Sequence, residues 1–320
     1  MKKNVLVTGG LGLLGKPLIS FLEKKNFNVF VLDKSKNQKR NKLIKKNKIS
    51  FIYGNFQNKP LLKKIIKKKN IKIIFHTGAI TQVLEGLRDP YKTYKNNIMG
   101  TINLLELIRE IDSNILFIYS SSDKAYGEIK KRDYLETDKL DSVYPYDLSK
   151  TCSDLICQSY SKVYDLNVAI VRCGNLYGPG DFNKNRIIPE TIISTIQNKK
   201  LKIRSSGKLV RDYLYVDDAV NAYYLIMNKM LKKGKKLLIY NVGSKDNFSV
   251  LSLVKLILKI MNKDELKPII LNKSKQEINF QKLNDKKIRK ELGWKQNVSM
   301  ALGLKNTINW YKKNYSFFVN

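Results

Sequence analysis

Several residue types are scarce in this chain, and each scarcity closes a route. Histidine occurs once, at His76, and cysteine three times, at Cys152, Cys157 and Cys173, with no C-x-x-C spacing. Good metal ligands are too few for a metal centre, and an odd number of dispersed thiols does not build a disulfide framework. A reduced, cytoplasmic setting is the expectation. Acidic residues number 27 against 61 basic ones, a formal net charge of +34, and only nine of the 61 are arginine. The lysines spread over the whole chain, with runs at 34–48, 63–69 and 232–236 on expected loops and helix surfaces. Nucleic-acid modules instead cluster arginine and lysine on one face and interleave aromatics. No nucleic-acid partner is expected; the charge favours a doubly negative small substrate. No apolar run reaches about 18 residues, so no transmembrane helix is expected. Glycines from Gly9 onward interrupt the apolar stretch after Met1-Lys2-Lys3, and no A-x-A site follows, unlike a signal peptide.

What is present begins with Thr8-Gly9-Gly10-Leu11-Gly12-Leu13-Leu14-Gly15. It follows a short apolar run and opens an apolar-periodic stretch, the order strand, glycine turn, helix. Glycines recur at Gly9, Gly12 and Gly15. A turn without Cβ atoms lets backbone N–H groups and the helix N-terminus approach a pyrophosphate. A second strand ends in Asp33, eighteen residues after Gly15, where a carboxylate can accept from the ribose hydroxyls of an adenine dinucleotide.

Strands are expected at 4–8, 27–33, 49–54, 71–76, 114–121 and 168–173, with helical patterns at 13–25, 61–69, 96–111 and 145–164. Strands alternating with helices imply parallel βαβ units, hence an α/β fold with a doubly wound parallel (Rossmann) sheet. After Gly174 the pattern loosens into short mixed elements. This predicts a dinucleotide-binding domain over 1–174 and a smaller C-terminal α/β substrate-binding domain over 175–320, with some segments returning to the first. Ligands in such sheets lie beyond the carboxyl ends of the strands, which directs attention to Ser120-Ser121-Ser122-Asp123-Lys124 after the fifth strand. Downstream stands Tyr146-x-x-x-Lys150. On a helix, i and i+4 share a face, and a cation beside a phenol lowers its pKa toward neutrality, making a usable base. The spacing alone decides nothing, because Tyr91/Lys95 and Tyr126/Lys130 share it, as many matches as chance supplies in so lysine-rich a chain. Position favours Tyr146, which opens the helix after the serine-bearing strand.

Taken together, these marks resemble an extended short-chain dehydrogenase/reductase of the NAD-dependent sugar-nucleotide epimerase/dehydratase family. Gly54-Asn55-Phe56, His76-Thr77-Gly78-Ala79, Asn97-Ile98-Met99-Gly100-Thr101, Arg172-Cys173-Gly174-Asn175 and Arg211-Asp212-Tyr213-Leu214-Tyr215-Val216-Asp217-Asp218-Ala219 add to the likeness, as do Tyr240-Asn241-Val242-Gly243 and Leu292-Gly293-Trp294. The resemblance implies NAD as cofactor, held by Gly9, Gly12, Leu13, Leu14, Gly15, Asp33, Asn55, Phe56, Gly78, Ala79, Asn97, Tyr146 and Lys150. Asn55 departs from the family's usual Asp, and Leu11 from its usual small residue. Asp33 without a clear arginine partner for a 2′-phosphate favours NAD over NADP, while Lys34 and Lys36 keep the alternative open. Ser122 and Tyr146 are implied to contact the hydroxyl being oxidised and Lys150 the nicotinamide ribose.

The implied substrate is a nucleotide-diphosphate hexose, contacted by Asn175, Arg186 and Arg211. A surface salt bridge from Arg211 to Asp212 or Asp217 is the other reading of that arginine. The shared reaction is oxidation at the sugar C4. Ser122-Asp123-Lys124 resembles the 4,6-dehydratase branch, nearest those acting on CDP-glucose, as do Arg186-Ile187-Ile188-Pro189 and the segment Glu277 to Gln281. Asp123 would then protonate the departing C6 hydroxyl, and Lys124 would take the C5 proton or hold an enolate. A simple Asp123–Lys124 ion pair, with 4-epimerase or 4-dehydrogenase activity, is the alternative. A homodimer through helices 96–111 and 145–164 is also implied, without membrane insertion.

Overall fold

A computed structural model of the chain describes residues 3–35, 49–129, 132–232, 236–273 and 278–318. Most of the lysine run at 34–48, Lys130, much of 232–236 and Glu277 lie outside these residues.

Apolar runs dictate the central sheet. Strand β1 (Asn4–Thr8) leads through the glycine turn to α1 (Gly15–Lys24), then β2 (Asn28–Asp33) and β3 (Ile49–Tyr53). Helix α2 (Lys59–Lys68) follows, capped by the Asn58 side chain, which accepts from Leu61 N, and carrying Pro60 in its first turn. Next come β4 (Ile73–His76), α3 (Val83–Arg88), α4 (Pro90–Tyr94), a π-turn (Lys95–Met99), α5 (Gly100–Ile111) and β5 (Leu116–Ser122). A 3-10 turn (Asp123–Tyr126), α6 (Pro145–Tyr164) and β6 (Val168–Cys173) complete the first half. The second half runs β7 (Asn175–Tyr177), α7 (Ile187–Ile196), β8 (Lys202–Ile203), β9 (Val210–Tyr215), α8 (Val216–Leu231) and β10 (Leu237–Val242). It closes with β11 (Asn247–Ser249), α9 (Val250–Ile260), β12 (Ile269–Ile270), α10 (Lys286–Leu292) and α11 (Met300–Lys313).

Seven strands pair in the order β10-β6-β5-β4-β1-β2-β3, every neighbour parallel. The order reverses between β1 and β4, which opens a crevice at the carboxyl ends. Side chains alternate faces: Val5, Val7, Val29, Val31 and Phe75 pack with α1 and α8, whereas Leu6, Leu32, Ile74, Phe117 and Tyr119 pack with α2 and α5. Both faces are covered, so the strands are apolar throughout rather than alternating in polarity. A three-stranded sheet, β11-β9-β7, and a two-stranded one, β12-β8, organise separate apolar clusters around α7, α9 and α11. Among the described residues no helix is long and apolar enough to cross a membrane.

The expected helix 96–111 is two pieces. Its start is a π-turn, because the Asn97 side chain grips Ile80 through N–H to Oδ1 (2.8 Å) and Nδ2 to the carbonyl (3.0 Å). The short helices α3 and α4 were not expected; Asp89 caps the second by accepting from Lys92 N (2.9 Å) ahead of Pro90.

His76 ends β4 beneath the crevice, with Nδ1 2.7 Å from the Thr8 hydroxyl. Burial, and the Lys150 ammonium nearby, lower its imidazole to about 3. A depressed histidine pKa favours the unfolded chain once protons become available, so stability is lost as pH falls from 6.5 toward 3. Each pH unit in that window costs up to about 1.4 kcal/mol. Urea midpoints measured against pH should therefore be less acid-sensitive in His76→Gln than in the wild type; parallel curves would contradict this assignment.

Candidate active site

The glycine turn is tight by necessity. Gly9 sits at φ +68°, and a Cβ there would lie 2.4 Å from the Gly78 Cα. A Cβ on Gly15 would meet Gly10 Cα and the Gly9 carbonyl at 2.6 Å. The Asp33 carboxylate pins this turn to β2, accepting from Leu11 N (3.0 Å) through Oδ2 and from Ser35 N (2.8 Å) through Oδ1. Each oxygen keeps a lone pair for a further donor. Leu11 packs inward, 2 % exposed, and the turn closes around it. Phe56 fills a slot whose walls are Gly78 and Gly100, where added Cβ atoms would meet the ring at 2.6 and 2.3 Å.

A cavity of about 450 Å³ runs from this turn along the carboxyl ends of the strands. Gly9, Gly12, Leu13, Leu14, Gly15 and Asp33 form one end, with Asn55, Phe56, Gly78 and Ala79 beside them. Ser122, Asp123, Lys124, Tyr146 and Lys150 line the same cavity, as do Asn175 and Arg186. The cradle that Cβ atoms would fill, the carboxylate at the end of β2 and the elongated cavity fit a dinucleotide.

Two expected residues lie elsewhere. Asn97 stands behind the wall, its amide consumed by Ile80 and by Ser149 Oγ (2.8 Å); the neighbouring Asn96 lines the cavity instead. Arg211 is outside the lining, with Nη1 donating to the carbonyls of Val210 (2.9 Å) and Ile278 (2.6 Å). It does not take up Asp212, whose oxygens accept from Ser244 N and Leu283 N. Lining residues that the sequence did not single out include Gln82, Leu176, Phe182 and Tyr223. Tyr223 reaches in from α8 and donates to Ser120 Oγ (2.7 Å). Lys16 is a further buried cation, joining α1 to the Gly180 carbonyl (2.8 Å) and lying over Phe182.

The reactive groups sit on two elements bound tightly together. Helix α6 presents Tyr146 and Lys150, and the 3-10 turn after β5 presents Asp123 and Lys124. Thr151 Oγ1 donates to the Ala125 carbonyl (2.8 Å) and Lys150 Nζ to the Ser120 carbonyl (2.7 Å), locking one element on the other. The Ser122 hydroxyl donates to Asp123 Oδ1 (3.0 Å) and accepts from Lys124 N (3.3 Å). Lys124 Nζ donates to Gln281 Oε1 (3.1 Å) rather than forming an ion pair with Asp123. Asp123 is 1 % exposed, and its Oδ2 has no partner among the described residues. Burial raises its pKa despite Lys124 and Ser122.

The expected activation of Tyr146 by Lys150 is corrected by this geometry. Burial lifts the phenol above its usual range, Asp147 and Asp123 lift it further, and Ser122 and Arg186 oppose them. Lys150, itself lowered to about 8 by burial, directs its nitrogen to the strand carbonyl. Tyr91/Lys95 stacks at the surface, ammonium 5.7 Å from the ring centroid, with Tyr91 73 % exposed. Tyr126 is buried in the 3-10 turn.

The NAD dependent epimerase/dehydratase family matches residues 5–243. A dTDP-D-glucose 4,6-dehydratase of Dictyostelium discoideum is 31 % identical over 374 residues, covering 99 % of this chain and 83 % of that protein. The crystal structure of a dTDP-glucose 4,6-dehydratase from Bacillus anthracis in complex with NAD superposes with a TM-score of 0.89 at 27 % identity, over 98 % of each chain. A UDP-glucose 4-epimerase from Thermotoga maritima, solved with UDP-glucose, gives 0.89 at 27 % identity over 98 % of this chain and 99 % of its own.

Because Gly9 adopts a left-handed conformation against Gly78, Gly9→Ala should weaken NAD binding at least about tenfold. Isothermal titration of the folded variant measures this; unchanged affinity would place the dinucleotide elsewhere.

Proposed function

The chain belongs to the NAD dependent epimerase/dehydratase family, and on that premise we propose that it converts a nucleotide-diphosphate hexose to its 4-keto-6-deoxy derivative. The observation that carries the dehydratase reading is Asp123. It is a buried carboxyl at the cavity wall, beside Tyr146, raised in pKa and with one oxygen unpartnered. Oxidation and return of hydrogen at C4 alone need no such acid; expulsion of a C6 hydroxyl does.

NAD, when bound, supplies a hydride acceptor that later returns the hydride, and its oxidised ring adds positive charge to the cavity. In this reading Gly9, Gly12, Gly15 and Asp33 hold its adenosine end, Phe56 and Gly78 flank it, and Lys150 serves its second ribose. Tyr146, oriented by Ser122, would accept the proton of the C4 hydroxyl once the positive charge of bound NAD offsets the burial and the Asp147 and Asp123 charges that raise its pKa. Asp123 then donates its proton to the departing C6 oxygen, which leaves as water. Lys124, anchored on Gln281, faces the developing enolate with an ammonium or receives the C5 proton. Asn175, whose Nδ2 has no partner among the described residues, takes the diphosphate from the cavity wall, with the positive charge of Arg186 beside it, its Nη1 paired with Asp181 (2.7 Å) and its Nη2 donating to the Leu176 carbonyl (2.5 Å). Arg211, turned to backbone carbonyls, acts on the site through its charge.

The division into a dinucleotide half, 1–174, and a substrate half, 175–320, belongs to this reading, with α8 and β10 returning to the large sheet. A homodimer through 96–111 and 145–164 is supported by Met99, Leu155, Val163 and Tyr164, apolar side chains exposed on those segments. Three free cysteines are consistent with a cytoplasmic setting.

The 4-epimerase alternative rests on the equal similarity to the Thermotoga maritima structure. Incubation with CDP-, dTDP-, UDP- and GDP-hexoses separates the two. A 4-keto-6-deoxy product from at least one of them is expected, whereas C4-inverted sugars alone would establish the epimerase. Tyr146→Phe should lower kcat by about 100-fold or more, with KM nearly unchanged.

A further inference from the structure

Lys16 stands directly after the glycine turn, in the first turn of α1, and the chemistry proposed above makes no use of it. Its placement is costly on two counts. The helix dipole is positive at that end and opposes a cation, and a buried ammonium loses its hydration. Lys16 is only 7 % exposed. The compensation comes from a loop 164 residues further along the chain. Nζ donates to the Gly180 carbonyl (2.8 Å) and lies 4.6 Å from the centroid of the Phe182 ring. Gly180 has φ +82°, and a Cβ there would come within 2.9 Å of the Lys16 nitrogen, so glycine lets the loop approach this closely.

The loop, residues 180–186, is fastened from its other side to the C-terminal end of the chain. Tyr311, on α11, donates to the Asp181 carbonyl, and Lys184 Nζ donates to the Phe318 carbonyl (2.9 Å). Phe182 packs against Trp310, Phe317 and Phe318, with ring centroids 5.8, 6.2 and 5.5 Å apart. Within the loop, Arg186 pairs with Asp181 (2.7 Å). Gly180, Asp181, Phe182 and Asn183 line the same cavity as Gly12, Leu13 and Gly15, while Lys16 is outside that lining. The Lys16–Gly180 bond therefore ties two walls of the cavity together, cradle to loop, from outside the space a dinucleotide would fill.

We propose that Lys16 is a clasp: it holds the loop against the glycine cradle and so sets how fast NAD leaves. The inference rests on the placement of NAD in that cradle and is the same for the dehydratase and the epimerase reading. In both, the hydride taken from the sugar is given back, so NAD ends each turnover as it began and has no need to exchange. Closure that would throttle an enzyme releasing its dinucleotide every cycle is harmless here. Opening the exit requires parting the ammonium from both the carbonyl and the ring.

Stopped-flow displacement of NADH by excess NAD measures the exit rate. Lys16→Met keeps the length and apolar stem of the side chain but removes the charge and the donor. It should release NADH about tenfold faster than the wild type. Hydrogen exchange read on the same proteins should show the 180–186 amides opening faster while those of α7 stay as they were, whereas a general loss of structure would speed both. Tyr311→Phe frees the Asp181 carbonyl at the loop's other fastening, away from the cavity lining, and should also speed release. An exit rate unchanged in Lys16→Met would overturn the clasp. Where Lys16→Met does not fold, an unchanged rate in Tyr311→Phe would do so. Faster release with loop exchange unaltered would overturn it too, since Lys16 would then be acting on the dinucleotide's phosphates by its charge alone. Gly9→Ala judges where NAD binds, and the displacement rate judges the clasp.

Discussion

The site depends on one buried ion pair that lies outside the lining of its cavity. Arg172, on β6, holds Asp154, on α6, through Nε and Nη2 at 2.9 Å each, with both side chains essentially fully buried. Asp154 also accepts from Ser121 Oγ (2.6 Å) on β5 and Gln158 Nε2 (2.8 Å) on its own helix. The remaining Arg172 nitrogen donates to the Tyr126 hydroxyl (2.8 Å) and the Glu136 carbonyl (3.1 Å). One fork thus joins β6, β5, α6, the 3-10 turn and the loop beyond it. Such pairs gain little net stability, because desolvation offsets attraction, but removal of one partner strands a buried charge at a cost of about 3–5 kcal/mol. Its value is positional. The elements it clamps are the ones that carry Ser122, Asp123, Lys124, Tyr146 and Lys150.

Much of this arrangement is legible in the residues. The apolar runs and the glycine turn announce a doubly wound sheet, and the sheet's own rule then sends the eye to the ends of β1, β4 and β5. Side chains in the glycine turn and around Phe56 follow from steric limits that sequence expresses directly: where Gly9, Gly15, Gly78 and Gly100 stand, nothing larger fits. The resemblance to a known family supplied roles that spacing alone could not, since Tyr146-x-x-x-Lys150 is one of three equivalent matches.

What the residues do not announce is tertiary in origin. The π-turn exists because Asn97 reaches a main chain seventeen residues away, and that same reach removes Asn97 from the wall it was expected to line. Helices α3 and α4 are too short to show a period, although Asp89 before Pro90 is a start signal. The motif names Lys150 as the neighbour of Tyr146 but not Asp123, Asp147 or burial, all of which raise the phenol's pKa. A pKa sums over everything that surrounds a group, and a sequence motif names only one term of that sum.

The same sum explains how a chain with 34 more basic than acidic residues holds carboxyl groups of raised pKa at its centre. Long-range attraction to a positive surface lowers carboxyl pKa values, yet burial raises those of Asp123, Asp147 and Asp212. Exposed lysines act through water and salt, which screen them within about 8–10 Å. Loss of hydration acts at the carboxyl itself and is not screened. The molecule therefore separates two electrostatic tasks by depth. A positive surface attracts small anions from a distance, while the dry wall around the 3-10 turn raises the pKa of the carboxyl buried in it. Neither task constrains the other, which is why an unusually basic exterior is compatible with raised carboxyl pKa values inside.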